Sequence, residues 1–406
     1  MAFDVSLARG QFPALSGEWI YMDNAGGTQV PFQVAEAVRE HLLHANVQIG
    51  ATYEPSVKAS ATVASARRIA ADLVGADPGE IVFGPNMSSL FRMLALVLSE
   101  IWDPDDEVIV TQAEHEANVG CWEYLAQFGI VVKTWEMDPD TYTFDTSRLV
   151  DLVTDKTRLI AVHHTSNVLG NILAIKDVLK LTKGCGAYLC VDGGQYVPHR
   201  MTDVKDLDAD FYLFSTYKAF GPHMGVLYGK REVLEAIPRW SHFFVDDDDV
   251  PAKFELGSGN YEGAAGLLGL EKYFRAVGMS LKEPFRDVVT SVYKGFQDHE
   301  TALAKELLNY LGSKPRVTVV GESDPRLLGE RLPIVSFLVD ETDPEELVRE
   351  IDKSRIGVRW GHFNAPRLLD ALDYLQYKGV IRVSLAHYNT MDEVERLKKA
   401  LDPLLS

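Results

Sequence analysis

Two stretches of the sequence decide the fold: Phe211-Tyr-Leu-Phe-Ser-Thr-Tyr-Lys218-Ala-Phe-Gly-Pro222 and, before it, Tyr188-Leu-Cys-Val-Asp192-Gly-Gly-Gln195. Each begins as a short apolar run and breaks into small or polar residues, which is typical of a buried parallel strand at the carboxyl edge of its sheet. In open α/β sheets, ligands bind at that edge. The two stretches therefore predict a ligand site to which one strand brings Asp192 and the next brings Lys218.

A carboxylate and a lysine on neighbouring strand ends suit pyridoxal phosphate (PLP) as a cofactor. Its aldehyde forms a Schiff base with a lysine, and its ring nitrogen stays protonated only beside a carboxylate. We therefore predict that Lys218 carries PLP and moves the α-proton of the substrate, and that Asp192 pairs with the ring nitrogen. Gln195 is placed to hydrogen-bond the ring hydroxyl oxygen. Taken singly, the two charged residues equally suit a surface lysine and a helix-capping aspartate, and only the pair favours a cofactor.

Strand-like and helical segments alternate through most of the chain. This alternation predicts an α/β fold, in which a mostly parallel seven-stranded sheet has helices on both faces. A helical pattern over 87–101 places Leu90, Leu94, Val97, Leu98 and Ile101 on one apolar face. The predicted strands are 80–83, 107–111, 131–135, 158–162, 188–191, 211–214 and 225–228.

Beyond residue 265 the pattern changes to a long helical region followed by a small α+β unit. The helical region spans 264–311 with a break near 278–284. The strands predicted after it are 316–320, 333–339, 357–359 and 380–384. We therefore predict three parts: an N-terminal arm (1–20), a large PLP-binding domain (21–265) and a small C-terminal domain (266–406).

Other polar residues follow the predicted strands. The turn from Phe83 to Ser89 leads into a helix, so the N–H groups around Met87 and Ser88 would face an anion such as a phosphate, and Ser88 adds a hydroxyl. His115 follows the second strand and could stack on a pyridine ring, although a capping role suits it equally well. Asn167 follows the fourth strand; it could donate to a ring oxygen or a substrate carboxylate, or only form a turn. The planar fork of Arg382 suits an α-carboxylate.

Six motifs together resemble the class V aminotransferase superfamily of fold-type I PLP enzymes, and most closely its cysteine desulfurase group. The motifs are Tyr21-Met-Asp-Asn-Ala-Gly, Glu114-His-Glu-Ala-Asn, Ser166-Asn-Val-Leu-Gly, Val191-Asp-Gly-Gly-Gln, Ser215-Thr-Tyr-Lys-Ala-Phe-Gly-Pro and Glu255-Leu-Gly-Ser-Gly-Asn. The resemblance implies that Ser215 and Tyr217, the latter in place of a family histidine, contact PLP. It also implies a homodimer in which Ser258 reaches the phosphate of the other subunit's PLP.

One segment departs from that family. Gly357-Val-Arg359-Trp-Gly-His362-Phe-Asn364-Ala365 resembles the family's Val-Arg-x-Gly-His-His-Cys-Ala, which implies a substrate contact for Arg359 but puts Asn364 where the sulfur-accepting cysteine stands. An amide cannot form a persulfide. We therefore expect an enzyme that acts on an amino acid by transamination. The alternatives are β-elimination of the C–S lyase type, racemisation or epimerisation, and a PLP-binding scaffold that has lost catalysis. The sequence does not name the amino acid.

The composition excludes several other classes of function. A net charge of −19 on 406 residues argues against nucleic acid or an anionic membrane as a partner. Three cysteines without zinc-type spacing favour a reducing cytoplasm, and we predict no metal site; the acidic run Asp246 to Asp249 suits a solvated loop tip. We find no signal peptide and no run of about 18 apolar residues, so we expect no membrane span.

Overall fold

The computed structural model describes residues 3–324, 327, 329 and 331–405. Within them the strands are, in chain order, β1 (Ile20–Tyr21), β2 (Ile81–Gly84), β3 (Glu107–Thr111), β4 (Val131–Trp135), β5 (Thr157–His163), β6 (Tyr188–Asp192), β7 (Phe211–Ser215), β8 (Gly225–Gly229), β9 (Val317–Val320), β10 (Ile334–Val339), β11 (Ile356–Gly357), β12 (Arg359–Gly361) and β13 (Val380–Ser384).

The same residues also form the α-helices. They are α1 (Val5–Arg9), α2 (Phe32–His44), α3 (Glu54–Val74), α4 (Met87–Ser99), α5 (Gly120–Glu123), α6 (Thr146–Leu152), α7 (Ile175–Cys185), α8 (Val204–Leu207), α9 (Arg231–Ala236), α10 (Val250–Phe254), α11 (Tyr261–Val277), α12 (Phe285–Gly312), α13 (Pro344–Asp352), α14 (Pro366–Ala371) and α15 (Met391–Leu401).

The large sheet has seven strands in the order β2-β8-β7-β6-β5-β3-β4. The run from β7 through β6, β5 and β3 to β4 is parallel, and β8 is antiparallel to both of its neighbours. The predicted mostly parallel α/β sheet is therefore confirmed. Because β6 and β7 each run one residue further than predicted, Asp192 and Ser215 are themselves the last residues of strands.

Helices cover both faces of this sheet. One face packs against a core that includes Ile69 of α3 and Leu270 of α11, and the other packs against Leu94 of α4. Full burial of a leucine side chain contributes about 1.5–3 kcal/mol, so these faces supply much of the folding free energy. The expectation that Ile101 extends the apolar face of α4 is wrong, because the helix ends at Ser99 and Ile101 is 50% exposed.

A second sheet of four antiparallel strands, in the order β12-β13-β10-β9, forms the C-terminal unit. The single strand predicted at 357–359 is two strands: β11 pairs in parallel with β1, and β12 joins the second sheet. The chain around Asp23 therefore runs beside β13, where an isolated bridge joins Asp23 to Ser384. The three-part division of the chain stays a prediction; Met1, Ala2 and Ser406, at its two ends, lie outside the described residues.

Candidate active site

The ends of β6 and β7 bring Asp192 and Lys218 to one edge of the large sheet. Asp192 closes β6, and its Oδ1 accepts a hydrogen bond of 2.8 Å from the N–H of Gly194. Lys218 lies in a short 3-10 turn directly after β7. The turn after Asp192 requires glycine at position 193, because a Cβ there would lie 2.0 Å from the ring of Tyr212. The local sequence thus fixes both functional groups by strand ends and tight turns.

A small cavity at this edge brings together five of the residues predicted from the sequence. Its walls are Ala113, His115, His163, Thr165, Ser166, Asn167, Asp192, Gln195 and Lys218. The predicted His115, Asn167, Asp192, Gln195 and Lys218 therefore share one site. His163, Thr165 and Ser166 are wall residues to which the sequence argument gave no role, although their position at the end of β5 is the same signal that identified Asn167.

Burial sets the charges in this cavity. It lowers the pKa of Lys218 to about 8, an effect that the positive charge of Arg382 reinforces and that Asp192 opposes. Burial raises the pKa of Asp192, while Lys218 acts against that rise. Burial, together with the charges of Lys218 and Arg382, lowers the pKa of His115 to about 3, so this imidazole is neutral at physiological pH. Its Nδ1 accepts the N–H of Ala117 at 3.1 Å.

Three wall residues carry a buried oxygen atom without a hydrogen-bond partner: Thr165 Oγ1, Asn167 Oδ1 and Gln195 Oε1. The amide nitrogen of Gln195 donates to Ala25 O at 2.9 Å, which leaves its oxygen for the cavity. The amide nitrogen of Asn167, expected to reach a cofactor or substrate, instead donates to Phe363 O at 2.7 Å. A buried unpaired polar atom costs about 1–3 kcal/mol, so these atoms fit a bound polar group such as the ring hydroxyl of PLP.

The predicted phosphate-binding turn adjoins this cavity. Asn86 caps α4 by accepting the N–H of Ser89 at 2.8 Å, and α4 begins at Met87. The Met87 side chain would lie 3.3 Å from a Cβ at Gly194, next to Asp192. Ser88 faces elsewhere, since it lines a larger neighbouring cleft of about 1000 Å³.

Two further predicted residues come shortly before Lys218 in the chain. Ser215 is buried at the end of β7. Tyr217 is partly buried, and its ring stacks on His223 with 4.6 Å between ring centroids and an interplanar angle of 7°. Burial raises the pKa of the Tyr217 hydroxyl, an effect that a hydrogen bond with Ser215 opposes. Neither residue is among those that line the Lys218 cavity.

The predicted carboxylate-binding arginines share an acidic partner that the sequence argument missed. Arg382, on β13, is 2% exposed and donates to Asn167 O at 3.0 Å and to Asp23 Oδ1 at 2.9 Å. Arg359 lies 2.6 Å from the other oxygen of the same carboxylate. The family-like Tyr21-Met-Asp motif contained Asp23, but an aspartate in a glycine-rich turn is too common to signal such a contact.

Comparisons with known proteins identify the family of the chain. The family model for aminotransferase class-V matches residues 20–397. The chain belongs to the class-V aminotransferase family. Members of this family, the cysteine desulfurases among them, are PLP-dependent enzymes, so the predicted family, the PLP cofactor and the enzymatic nature of the chain are confirmed.

Individual relatives cover almost the whole chain. The aminotransferase-like protein FGM3 of Gibberella zeae is 39% identical over 100% of this chain and 99% of its own length. The apo structure of a cysteine desulfurase from Thermococcus onnurineus NA1 has a TM-score of 0.88 and 29% identity, covering 100% of this chain and 98% of that one. A C-DES mutant with glycine covalently linked to its PLP cofactor, 19% identical, shares the fold with a TM-score of 0.79 over 97% of this chain and 99% of its own.

Hydrogen bonds and ring contacts hold the segment around Phe363 and Asn364 in place. Phe363 and Asn364 both have left-handed backbone conformations, with φ of 51° and 56°. Asn364 O accepts the N–H of Glu116 at 2.6 Å, and the Phe363 ring lies 4.0 Å from the Arg382 guanidinium carbon. The Phe363 ring of this segment therefore covers the guanidinium of Arg382.

The cysteines of this class-V protein lie away from the cofactor cavity. Cys121 and Cys190 are buried within the hydrophobic core that α4 packs against, and burial raises the pKa of both thiols. Cys185 is half-buried at the end of α7. Neither buried thiol is available as a thiolate, which is the form that attacks sulfur.

The remaining predicted contact, Ser258, lies on an exposed loop. Its hydroxyl donates to Gln48 Oε1 at 3.2 Å, and it lines the same large cleft as Ser88. Within one chain it is not part of the Lys218 cavity. Among the described residues, no helix is long and apolar enough to cross a bilayer, and no group of three or more metal-binding side chains meets.

Proposed function

We propose that this class-V protein is an aminotransferase that acts on an α-amino acid. The observation that carries the proposal is the small cavity that Lys218, Asp192 and the neutral His115 line together. Its relative FGM3, at 39% identity, bears the name of an aminotransferase-like protein. The relatives support PLP-dependent chemistry for this chain. The class of substrate is inferred from the residues of the site alone.

When bound, PLP supplies an aldehyde that condenses with amines and a protonated pyridine ring that withdraws electrons from the substrate α-carbon. Asp192, buried and held by the Gly194 N–H, would keep the ring nitrogen protonated. His115 would stack on the ring, and Gln195 Oε1 would accept the ring hydroxyl. The N–H groups at Met87, with Ser215 and Tyr217, would hold the phosphate, since the start of a helix attracts anions.

Lys218 would move the proton. Its pKa of about 8 leaves a substantial neutral fraction near physiological pH, as a general base needs. Its Nζ would take the proton from the substrate α-carbon and hold it for the later proton transfer. Arg382, with Arg359 and Asn167 around it, would hold the α-carboxylate and so fix which bond at the α-carbon is activated.

β-Elimination, the C–S lyase reaction, is the second candidate. It is favoured by the structural similarity to a cysteine desulfurase combined with Asn364 at the cysteine position. Elimination needs Lys218 but no thiol, whereas storage of sulfur as a persulfide needs a thiolate on a mobile segment. The segment at Phe363 and Asn364 has no thiol, and hydrogen bonds to Glu116 and Asn167 hold it in place. It therefore provides neither the thiolate nor the mobile segment that the desulfurase reaction requires.

One experiment separates these reactions. The PLP-loaded protein is incubated with a panel of amino acids, and keto acid, ammonia and sulfide are measured, with Lys218→Ala as the blank. Transamination gives a keto acid and the amino form of the cofactor, without ammonia. Elimination from cysteine gives pyruvate, ammonia and sulfide together. A sulfur adduct on the intact chain after exposure to cysteine, transferable to an acceptor, would overturn both candidates.

The homodimer is a further part of the proposal. We propose that Ser258 of each subunit serves the phosphate end of the other subunit's site, because within its own chain it is exposed and lies outside the Lys218 cavity. Light scattering should give twice the chain mass of 45.2 kDa. Ser258→Ala should weaken PLP binding without changing that mass, and a monomer that binds PLP normally would contradict the proposal.

A further inference from the structure

Asp23 occupies the position between the two arginines that would receive the substrate. Its Oδ1 accepts from Arg382 at 2.9 Å, and its Oδ2 lies 2.6 Å from Nη2 of Arg359. Both carboxylate oxygens are therefore engaged, each by a different guanidinium. The arrangement is a fixed internal counter-ion placed next to the proposed carboxylate site.

Backbone hydrogen bonds and a neighbouring glycine determine the position of the Asp23 carboxylate. Met22 and Asn24, on either side of Asp23, donate their N–H groups to Gly357 O and Ser384 O at 2.9 and 3.3 Å. Gly26 allows the close approach, because a Cβ there would lie 2.9 Å from Asp23 Oδ2 and 3.2 Å from Arg359 Nη2. The carboxylate is thus held by its neighbours, and its substitution leaves the backbone hydrogen bonds of this segment in place.

Asp23 leaves one positive charge for the substrate. Two arginines and one carboxylate carry a net charge of one, which a single α-carboxylate neutralises. Arg382 keeps an unpartnered buried Nε–H for that carboxylate. Without Asp23, the same two arginines would form a paired cationic site suited to two carboxylates at once.

We infer that Asp23 is a positioning residue that determines substrate class: it restricts the site to amino acids whose side chain carries no carboxylate. It does so by neutralising Arg359 and by aligning Arg382 with the α-carboxylate. A dicarboxylic amino acid would place its second carboxylate against a guanidinium that is already paired, beside the negative charge of Asp23. The inference rests on the proposed function in one respect, the binding of the α-carboxylate by Arg382.

The test measures binding of unreactive carboxylates to the PLP-loaded protein by calorimetry. The probes are propionate, with one carboxylate, and succinate, with two. Asp23→Asn should tighten succinate binding about tenfold and change propionate binding much less, because it exposes a second free guanidinium. The double variant Asp23→Asn with Arg359→Gln should lose that gain. Equal changes for both probes, or no change for either, would overturn the inference.

A second variant keeps the test decisive if Asp23→Asn does not fold. Arg359→Gln leaves Arg382 as the only arginine that pairs with Asp23. The Asp23 carboxylate then competes with propionate for Arg382, so propionate binding should weaken about tenfold. An unchanged affinity would overturn the inference. These measurements need no turnover. If no keto acid is released but the expected binding pattern is observed, only the aminotransferase proposal is refuted.

Discussion

The two sides of the active site differ in how they are built. The cofactor side consists of residues at or just after the strand ends of one sheet, Asn167, Asp192 and Lys218 among them, within the range that matches the class-V family. The substrate side joins Asp23, near the start of the chain, to Arg359 and Arg382, which face each other across two strands of the C-terminal sheet. The family therefore identifies the cofactor, but it does not identify the reaction.

The largest effect should come from the residue that defines the cofactor side. Lys218→Ala should abolish the visible absorption band of bound PLP and its borohydride-trappable link to the chain, and reduce turnover at least about a thousand-fold, because it removes both attachment and base. Absorption spectra and keto-acid release measure the two losses. The control is Lys282→Ala, at an exposed position. Survival of the band in Lys218→Ala would assign the attachment to another lysine.

A smaller loss should follow when the cofactor side keeps its shape but loses a charge. Asp192→Asn should retain PLP and lower kcat roughly ten- to a hundred-fold, which corresponds to the loss of a charged hydrogen bond of about 1.5–3 kcal/mol. Steady-state kinetics and the bound PLP content check both parts. Turnover at the wild-type rate would remove Asp192 from the mechanism.

On the substrate side, the effect should appear in KM. Arg382→Ala should raise the KM for amino acids by about tenfold while the resting PLP spectrum stays the same, because its partner is the substrate carboxylate. Arg359→Ala serves as the comparison and should raise KM less, since Arg359 is more exposed and paired with Asp23. A changed resting spectrum with an unaltered KM would move Arg382 to the cofactor side.

The pH dependence of PLP capture tests the electrostatics of the cofactor side. Burial lowers the pKa of Lys218 to about 8, and only the neutral amine attacks the aldehyde, so the capture rate should rise with pH and level off above about 8. Asp192 raises that pKa, so Asp192→Asn should move the inflection to lower pH. Stopped-flow absorbance of the PLP-free protein between pH 6 and 10 measures both curves. A shift of the inflection to higher pH in Asp192→Asn would contradict this assignment of charges.

The smallest effect should be a change in stability from the segment around Asn364 on the substrate side. Asn364→Ala should lower the free energy of unfolding by about 1 kcal/mol, because alanine adopts a left-handed backbone less readily than asparagine. Asn364→Gly should be close to the wild type, since glycine has no Cβ. Denaturant unfolding compares the variants. Equal losses in both would attribute the effect to the asparagine side chain.

Sequence reasoning found the strands of the large sheet and five of the polar residues that line the cavity at their ends, but it gave no role to His163, Thr165 and Ser166. It succeeded there because alternation of apolar runs with turns is a local property, and parallel strands deliver their ends to one edge. It missed His223, the ring that stacks on Tyr217, and it divided β11 and β12 wrongly, because both depend on which neighbour a residue meets.

By itself, the sequence determined the α/β fold, the PLP cofactor and the likeness to the class-V family, since each follows from short stretches such as Tyr188 to Gln195. Only the tertiary structure decided that Asp23 sits between Arg359 and Arg382, with Asp23 and Arg382 separated by 359 positions in the chain. It also decided that the Asn364 segment is pinned to Glu116. The physical reason is that strand-end chemistry is set by neighbouring residues, whereas an ion pair between segments far apart in the chain forms only once those segments have packed together.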